Sequence, residues 1–203
     1  MKLTVACLTL AGVVSAAQAA QAQEPVTPEA HFAAGRYAEA INAAQQNATA
    51  PEMIFLTGRS YLRLNRPDDA RMHFTKLSAG VEVPTAWSLV GESANALIDA
   101  NTALAIEKAG HAVALAPAEF HPHYQLGLAY SAAEQWELAA AALEKAASLN
   151  PAHAYAHYFA GLAYSRLRQL DRMATHLEYF LKLAPDAPER SAVMSLMRSV
   201  RGL

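Results

Sequence analysis

The sequence is poor in cysteine, since its 203 residues include a single one, Cys7. One cysteine cannot close an intramolecular disulfide, and residues 8–203 offer no thiolate as a metal ligand or nucleophile. Charge is also scarce, at 17% of residues, with both signs interspersed and a formal net charge of −2. Without a basic stripe, the composition excludes a protein built to bind the phosphates of a nucleic acid.

Glycine, proline and aromatic residues are few as well, with 9 glycines, 10 prolines and 8% aromatics. Alanine is abundant, and it favours helices because its side chain loses no conformational entropy there. With 53% hydrophobic residues, the chain is too apolar to remain unfolded. The composition therefore predicts one folded, all-α unit.

No apolar run reaches the roughly 20 residues that a membrane-spanning helix needs. The most apolar segment covers residues 3–14, follows a lysine, and is followed by small residues with two Ala-x-Ala sequences. This order is typical of a signal peptide over residues 1–22, cleaved between about residues 19 and 22. Cys7 lies too early in it for a lipoprotein signal. We therefore expect a bacterial protein that is periplasmic or secreted, with no membrane insertion after cleavage.

The sequence repeats with a period of 33 to 36 residues. Five prolines are separated by 33, 33, 34 and 34 residues, and four glycines by 33, 36 and 34. They are Pro51, Pro84, Pro117, Pro151 and Pro185, and Gly58, Gly91, Gly127 and Gly161. Residues 120–153 and 154–187 both contain HYxxGLAYS, and each predicts two amphipathic helices from its apolar residues at i, i+3, i+4 and i+7. Each unit is a predicted helix hairpin that ends at a proline.

A helix pair of about 34 residues with the pattern WxxLGxxY…AxxxF…P resembles the tetratricopeptide repeat. The unit 120–153 carries the pattern in Leu126-Gly127, Tyr130, Ala139 and Pro151, and the other units carry parts of it. The resemblance implies an all-α, right-handed α-solenoid of stacked helix hairpins, in which each hairpin covers the apolar face of the next.

The resemblance also divides residues 24–203 into units. These are a partial repeat at 28–50 that resembles the second half of a unit, repeats at 51–84, 85–119, 120–153 and 154–187, and a cap helix at 188–203. The interval from Gly91 to Ala105 is two residues longer than in the neighbouring units, so we expect an extended turn between the helices of that unit. The cap helix has Val193, Leu196, Met197 and Val200 at helical spacing, with docking of a partner as its alternative role.

Proteins of this family hold peptides in a concave groove lined by the first helix of each pair. Carried over to this sequence, the family's positions imply a mixed aromatic and basic lining, suited to an extended segment with an acidic residue. The residues are Phe55, Arg59, Arg63, Glu92, Asn95, His121, Tyr124, Leu128, Ser131, Tyr158, Leu162, Ser165 and Arg166. The Lys/Asn set with which some members clamp a chaperone's C-terminal carboxylates is missing. The alternative is a solvated inner face on a scaffold that binds elsewhere.

Four histidines, His121, His123, His153 and His157, lie around one repeat junction. Neutral imidazoles brought together could bind Zn²⁺ or Cu²⁺, which makes a metal carrier the alternative function. However, His123 and His157 occupy a packing position of the repeat, and equivalent residues on stacked helices lie about 10 Å apart. This favours a packing role for the histidines and no metal site.

Motifs of catalysis are missing from the sequence, which has no GxSxG, GxGxxG, phosphate loop or HExxH. We therefore expect no catalytic residue and no cofactor. The leading hypothesis is a non-enzymatic scaffold or assembly factor that binds another protein or peptide, with self-association left open.

Overall fold

The computed structural model describes residues 26–201, so the predicted signal peptide and Cys7 lie outside the described residues. Within that range the chain forms eleven α-helices and no strand, which confirms the all-α prediction. They are α1 (Pro28–Ala33), α2 (Tyr37–Ala44), α3 (Pro51–Arg63), α4 (Pro67–Lys76), α5 (Ala86–Ile98), α6 (Thr102–Leu115), α7 (Phe120–Ala132), α8 (Trp136–Leu149), α9 (Ala154–Arg166), α10 (Leu170–Leu183) and α11 (Arg190–Arg201). Consecutive helices pack on one another, so α1 to α10 form a row of five hairpins.

The five hairpin turns share one geometry. Each has three residues, and φ of the middle one is positive, at 75° for Gly35, 57° for Asn65, 55° for Ala100, and 57° for Glu134 and Arg168. The amide of the middle residue donates to the carbonyl three residues earlier, and the next amide donates to the carbonyl five residues earlier. This is the Schellman pattern, which satisfies carbonyls at the end of the first helix. In each hairpin, therefore, the second helix begins at the same distance from the end of the first.

In three hairpins the two helices meet where a large side chain packs on a glycine. A Cβ atom at Gly127 would lie 2.4 Å from Leu143 Cγ, and one at Gly161 would lie 2.6 Å from Leu177 Cδ2. Gly58 faces the Phe74 ring in the same way. Glycine is required here because any side chain would push the helices apart.

The prediction of an extended turn in the hairpin α5–α6 is wrong. Its turn has three residues like the others, and the longer connection is the nine-residue segment 77–85 before α5. Because α5 begins at Ala86, the residue that faces α6 is Ser93, whose hydroxyl donates to the Ala105 carbonyl at 2.8 Å. Gly91 instead lies against the preceding hairpin, where its Cβ would be 2.5 Å from the Phe74 carbonyl oxygen.

The chain is helical at both ends of the array. Over 28–50, where the sequence indicated the second half of a repeat, the chain forms both α1, with six residues, and α2, followed by a 3-10 turn at Gln45–Asn47. At the other end α11 packs on α10 and buries Val193 and Met197, which are 2% and 8% exposed. No helix between residues 26 and 201 combines the length and apolarity that crossing a bilayer requires.

Candidate functional site

The first helices of the hairpins together line an apolar cavity of about 260 Å³. Its walls come from α1, α3, α5, α7 and α9, with Phe74 of α4 as the one contribution from a second helix. Leu62, Leu97, Leu128 and Phe159 supply apolar surface, and Arg59 and Arg63 supply the charge. The inner face of the row therefore holds a pocket that is apolar with a basic edge.

Arg59 lies among aromatic rings at this cavity. Its Nη2 donates to the Tyr124 hydroxyl at 2.7 Å, and its guanidinium carbon lies 4.5 Å from the centre of the Phe32 ring and 4.7 Å from that of Tyr124. The rings of Phe55 and Tyr155 are both 5.9 Å away. These cation–π contacts hold the guanidinium in place, and they do not neutralise its charge.

The first and last hairpins meet across one side of this groove. The Tyr155 hydroxyl on α9 donates to Glu189 Oε2 at 2.9 Å, and Arg63 on α3 forms an ion pair with Glu189. Arg63 Nε also donates to the Tyr37 hydroxyl on α2 at 2.8 Å. The Phe32 and Tyr155 rings are 5.3 Å apart. We call this set of contacts the closure, because it joins residues of α1, α2 and α3 to residues of α9 and the segment before α11.

The two ends of the chain's helical array also touch where a proline side chain lies close to the backbone of a turn. A Cβ atom at Gly35, in the turn between α1 and α2, would lie 2.6 Å from Pro188 Cγ, before α11. Gly35 has a positive φ of 75°, which any other residue would adopt only with strain. The closure therefore depends on a turn that glycine alone fits without a clash.

Burial and the two arginines set the ionisation of the neighbouring groups. Burial lowers the pKa of Arg63, but hydrogen bonds to Tyr37 and Glu189 outweigh this, so its pKa is raised overall. Burial lowers the pKa of His121 to about 4, with a further contribution from Arg59. The pKa of His153 is lowered well below its usual range, first by burial and then by Arg59 and His121. At neutral pH the histidines are uncharged, and the charge of the cavity comes from its arginines.

Several residues of the predicted lining do reach this cavity. Phe55, Arg59, Arg63, Tyr124 and Leu128 all line it. Phe55 and Tyr124 are nevertheless buried, at 2% and 0% exposed, because neighbouring rings pack on them, Phe74 and Trp87 on Phe55 and Phe120 and His153 on Tyr124. In this conformation they support the wall and present little surface to a partner.

Two further predicted residues, His121 and Tyr158, are fixed by packing contacts. The His121 ring lies 4.4 Å from that of Trp87, and the Tyr158 ring lies 5.0 Å from that of Phe180 on α10. Burial raises the pKa of Tyr158, and Glu189 adds to the effect. Tyr158 therefore packs beside the closure residue Tyr155, and His121 packs among Phe55, Trp87 and Phe120.

The remaining predicted residues of α7 and α9 line a second, larger cleft of about 570 Å³. They are Ser131, Leu162, Ser165 and Arg166. Three residues that the sequence did not single out, Trp136, Phe159 and Arg168, complete its lining together with Ala163. Arg166 stacks on Trp136, with 5.4 Å between the guanidinium carbon and the ring centre. Because Phe159 lines both spaces, the cleft adjoins the inner cavity.

Glu92 and Asn95 line neither the inner cavity nor the cleft. Glu92 pairs with Lys108 on α6 at 2.8 Å, and Asn95 Nδ2 donates to Thr75 Oγ1 on α4 at 3.1 Å. A count of repeat positions from Pro84 misplaces them, because α5 begins two residues later at Ala86. A shift of two residues turns a helical side chain by about 200°.

The residues of α5 that do line the cavity were not predicted from the sequence. They are Ala94, Leu97 and Ile98. Thr85 and Ser88 could have located the start of α5, since Thr85 Oγ1 accepts from the Ser88 amide and Ser88 Oγ accepts from the Thr85 amide. This reciprocal pair is a capping box, which marks a helix N-terminus in sequence.

The four histidines of the metal hypothesis have separate partners. His123 Nε2 lies 2.9 Å from the Pro117 carbonyl, and the equivalent His157 Nε2 lies 3.2 Å from the Pro151 carbonyl. His153 Nδ1 accepts from the Ala156 amide and so caps α9, and His121 packs on Trp87. Across residues 26–201 no three His, Cys, Asp or Glu side chains are grouped to hold a metal ion.

A pair that the sequence reading did not identify involves His157 and His176 of α10. Their Nδ1 atoms are 3.2 Å apart. If His157 donates from Nε2 to the Pro151 carbonyl, its Nδ1 accepts from His176 Nδ1–H, which fixes both tautomers. Burial lowers the pKa of both histidines, so the pair is neutral at pH 7.

The comparisons with known proteins agree with this fold. A family model for the tetratricopeptide repeat matches residues 120–153, the hairpin α7–α8. A thermophilic tetratricopeptide-repeat protein of Thermus thermophilus, TTC0263, is 20% identical, with a TM-score of 0.60 over 85% of this chain and 94% of its own. The first TPR of Spaghetti (RPAP3), bound to HSP90 peptide SRMEEVD, is 18% identical, with a TM-score of 0.55 over 58% of this chain and 96% of its own.

A third similar structure is YrrB, described as a TPR protein with an unusual peptide-binding site. It is 18% identical, with a TM-score of 0.50 over 88% of this chain and 93% of its own. No curated protein is significantly similar in sequence to this chain. The chain thus contains a tetratricopeptide repeat at residues 120–153 and has the fold of a tetratricopeptide-repeat array.

Proposed function

We propose that the protein is a non-enzymatic scaffold of the bacterial periplasm that binds an extended, acidic segment of another protein. The observation that carries the proposal is the cleft of about 570 Å³ between the ends of α7 and α9 and the start of α8. Trp136, Phe159 and Leu162 offer an apolar floor, and Arg166 and Arg168 stand at the edge. An aromatic and basic lining of this kind suits a peptide that carries a carboxylate.

The charge of the cleft supports an acidic partner. Among the residues that the structure describes, neither Arg166 nor Arg168 has a carboxylate within 4.0 Å, whereas Arg63, Arg66, Arg71 and Arg172 each have one. An acidic side chain of a partner would gain an ion pair without displacing one. Two proteins of similar fold, the Spaghetti repeat and YrrB, are described with a peptide or a peptide-binding site.

Photo-crosslinking in cells tests the proposal. A photoreactive phenylalanine analogue at Ser165, in the cleft, is compared with one at the exposed Ser148 of α8, outside it. We expect Ser165 to give a discrete crosslinked species, which Arg166→Glu with Arg168→Glu removes. Arg198→Glu on α11 is the matched control and should leave capture intact, with unchanged helical circular dichroism for all variants.

Two results would contradict the proposal. Equal capture at Ser148 and Ser165 would place the binding surface elsewhere, and capture that survives both charge reversals would remove the role of the arginines. Fractionation of the same cells tests the compartment, since a mature protein lacking about 22 residues should appear in the periplasmic fraction.

A further inference from the structure

The inner cavity differs from the cleft in size and in its charged group. It has a volume of about 260 Å³, and the closure residues Phe32, Arg63 and Tyr155 form part of its wall. A cavity of this size, lined mostly by apolar side chains, fits a small molecule of about ten non-hydrogen atoms.

Arg59 gives this pocket a positive charge that no carboxylate of the described residues neutralises. An arginine has five N–H donors, and within residues 26–201 only the bond from Nη2 to Tyr124 uses one of them. No carboxylate of the described residues lies within 4.0 Å of Arg59, whereas its neighbour Arg63 is committed to Glu189 and Tyr37. Arg59 is half-buried, so water solvates it incompletely.

The other groups near Arg59 do not supply a negative charge. His121 and His153 are neutral at pH 7 because burial and Arg59 lower the pKa of each. Burial raises the pKa of Tyr124, so its hydroxyl keeps its proton. Apart from the Arg63–Glu189 pair, the surroundings are therefore one cation without a carboxylate partner beside an apolar wall, an arrangement that complements an anion with a hydrocarbon tail.

We propose that the inner cavity is a binding site for a small amphiphilic monocarboxylate. The carboxylate accepts hydrogen bonds from the free N–H groups of Arg59, and the hydrocarbon part packs against Leu62, Leu97, Leu128 and Phe159. The carboxylate would satisfy the half-buried cation, and the tail would fill a space that the protein leaves empty. This site takes a different ligand from the cleft, so it goes beyond the proposed function and does not depend on it.

Isothermal titration of the mature protein with sodium octanoate tests the site. We expect one site per chain with a dissociation constant on the order of 10 to 100 μM, a typical efficiency for a ligand of ten non-hydrogen atoms. Octan-1-ol and octylamine have the same chain without the carboxylate. Both should bind at least tenfold more weakly, because neither offers Arg59 an anion.

Two variants locate the site. Arg59→Gln should weaken octanoate at least tenfold, with Arg166→Gln in the cleft as the matched control. Leu62→Trp should narrow the cavity and weaken octanoate several-fold, and the fold should tolerate it because Leu62 is 41% exposed. Leu138→Trp, at a leucine that is 49% exposed and outside the cavity, is its control. Circular dichroism checks that each variant is folded.

The proposal fails on any of three results. These are no heat of octanoate binding up to millimolar concentration, equal affinity for octanol and octanoate, or octanoate affinity that Arg59→Gln and Leu62→Trp both leave unchanged. If Arg59→Gln does not fold, Leu62→Trp and the octanol comparison still decide the outcome. None of these results bears on crosslinking at Ser165, so the two proposals stand or fall separately.

Discussion

The hairpins α7–α8 and α9–α10 differ from α5–α6 in how their two helices meet. In the first two, Leu143 or Leu177 packs on a glycine of the partner helix. In α5–α6 the position of that glycine is taken by Ser93. Its hydroxyl donates to the Ala105 carbonyl and accepts from Gln125 Nε2 of α7 at 3.1 Å. The turn and the helix lengths are the same in all three hairpins. Repeat geometry is thus preserved while the chemistry of the closest contact changes from apolar to polar.

Substitution of Gly91 should have the largest effect, because this glycine lies between hairpins. Its added Cβ would meet the Phe74 carbonyl oxygen at 2.5 Å, and backbone cannot rotate away as a side chain can. We expect Gly91→Ala to lower the free energy of unfolding by about 3 kcal/mol, measured by urea denaturation. Gly127→Ala, which meets Leu143 within one hairpin, should cost about 2 kcal/mol, because the leucine can shift.

Gly110 on α6 is the matched control for both. Nothing lies within 4 Å of a Cβ added there, so Gly110→Ala should stabilise the protein by about 0.5 to 1 kcal/mol through helix propensity. If Gly91→Ala were as harmless as Gly110→Ala, the contact between α4 and α5 would not be as close as the structure describes.

Loss of the polar contact in α5–α6 should have the next largest effect on the free energy of unfolding. Ser93→Ala removes the partner of Gln125 Nε2 and of the Ala105 carbonyl in a buried position, where Ser93 is 0% and Gln125 1% exposed. Leaving such groups unpaired costs about 1 to 3 kcal/mol, so we expect a loss near 2 kcal/mol in urea denaturation.

The double variant Ser93→Ala with Gln125→Leu sharpens this comparison. It converts the polar contact to an apolar one like those of the other hairpins, and it should recover part of the loss because no amide remains unpaired. Additive losses from the two substitutions would show that Ser93 and Gln125 do not interact.

The sequence sufficed for the fold because the glycine, leucine and turn positions of residues 120–187 recur at a spacing of 34. It did not suffice for the register of α5, because the prolines that mark the repeat are not equivalent. Pro51 is the first residue of α3, whereas Pro84 lies two residues before α5 and Pro117 three residues before α7. A loop can absorb such offsets, and a proline in a loop does not record where the helix begins.

The closure could not be predicted from repeat patterns. It joins Phe32 to Tyr155 and Arg63 to Glu189, which are more than 100 residues apart in the sequence. A repeat pattern describes contacts between neighbouring units, and these contacts join the first two units to the end of the array. For the same reason the sequence indicated one concave groove, where the structure has a cavity beside a cleft.

Acid should weaken the contact between α9 and α10 through a histidine pair that α7–α8 lacks. His157 and His176 form a buried pair in α9–α10, whereas the residue equivalent to His176 in α8 is Ala142. Burial lowers the pKa of both histidines in the folded state, so the unfolded state binds more protons below about pH 6.5. Stability is therefore full above that pH and falls below it, by up to about 1.4 kcal/mol per pH unit for each histidine until its folded pKa is reached.

Urea denaturation between pH 7.5 and 5 measures this slope. Tyr179 stacks on His157 and Tyr164 on His176, with Glu144 raising and Arg172 lowering the His176 pKa. His176→Gln keeps a donor for His157 and should reduce the slope. Equal slopes for the wild-type protein and His176→Gln would contradict the assignment.

Replacing the positive-φ residue of a hairpin turn by glycine should have the smallest effect on the free energy of unfolding, and it should raise it. Glu134 and Arg168 adopt φ of 57°, where a side chain costs about 1 to 2 kcal/mol, while the first hairpin has glycine at this position. Glu134→Gly removes that strain but adds backbone entropy to the unfolded chain, so we expect a net gain of about 0.5 kcal/mol by urea denaturation. Asn65→Gly should gain less, because asparagine tolerates this conformation.

Ala133→Gly, one residue away at φ of −86°, relieves no strain and should lose about 0.5 to 1 kcal/mol. Equal losses for Glu134→Gly and Ala133→Gly would mean that the left-handed residue is not what limits these turns.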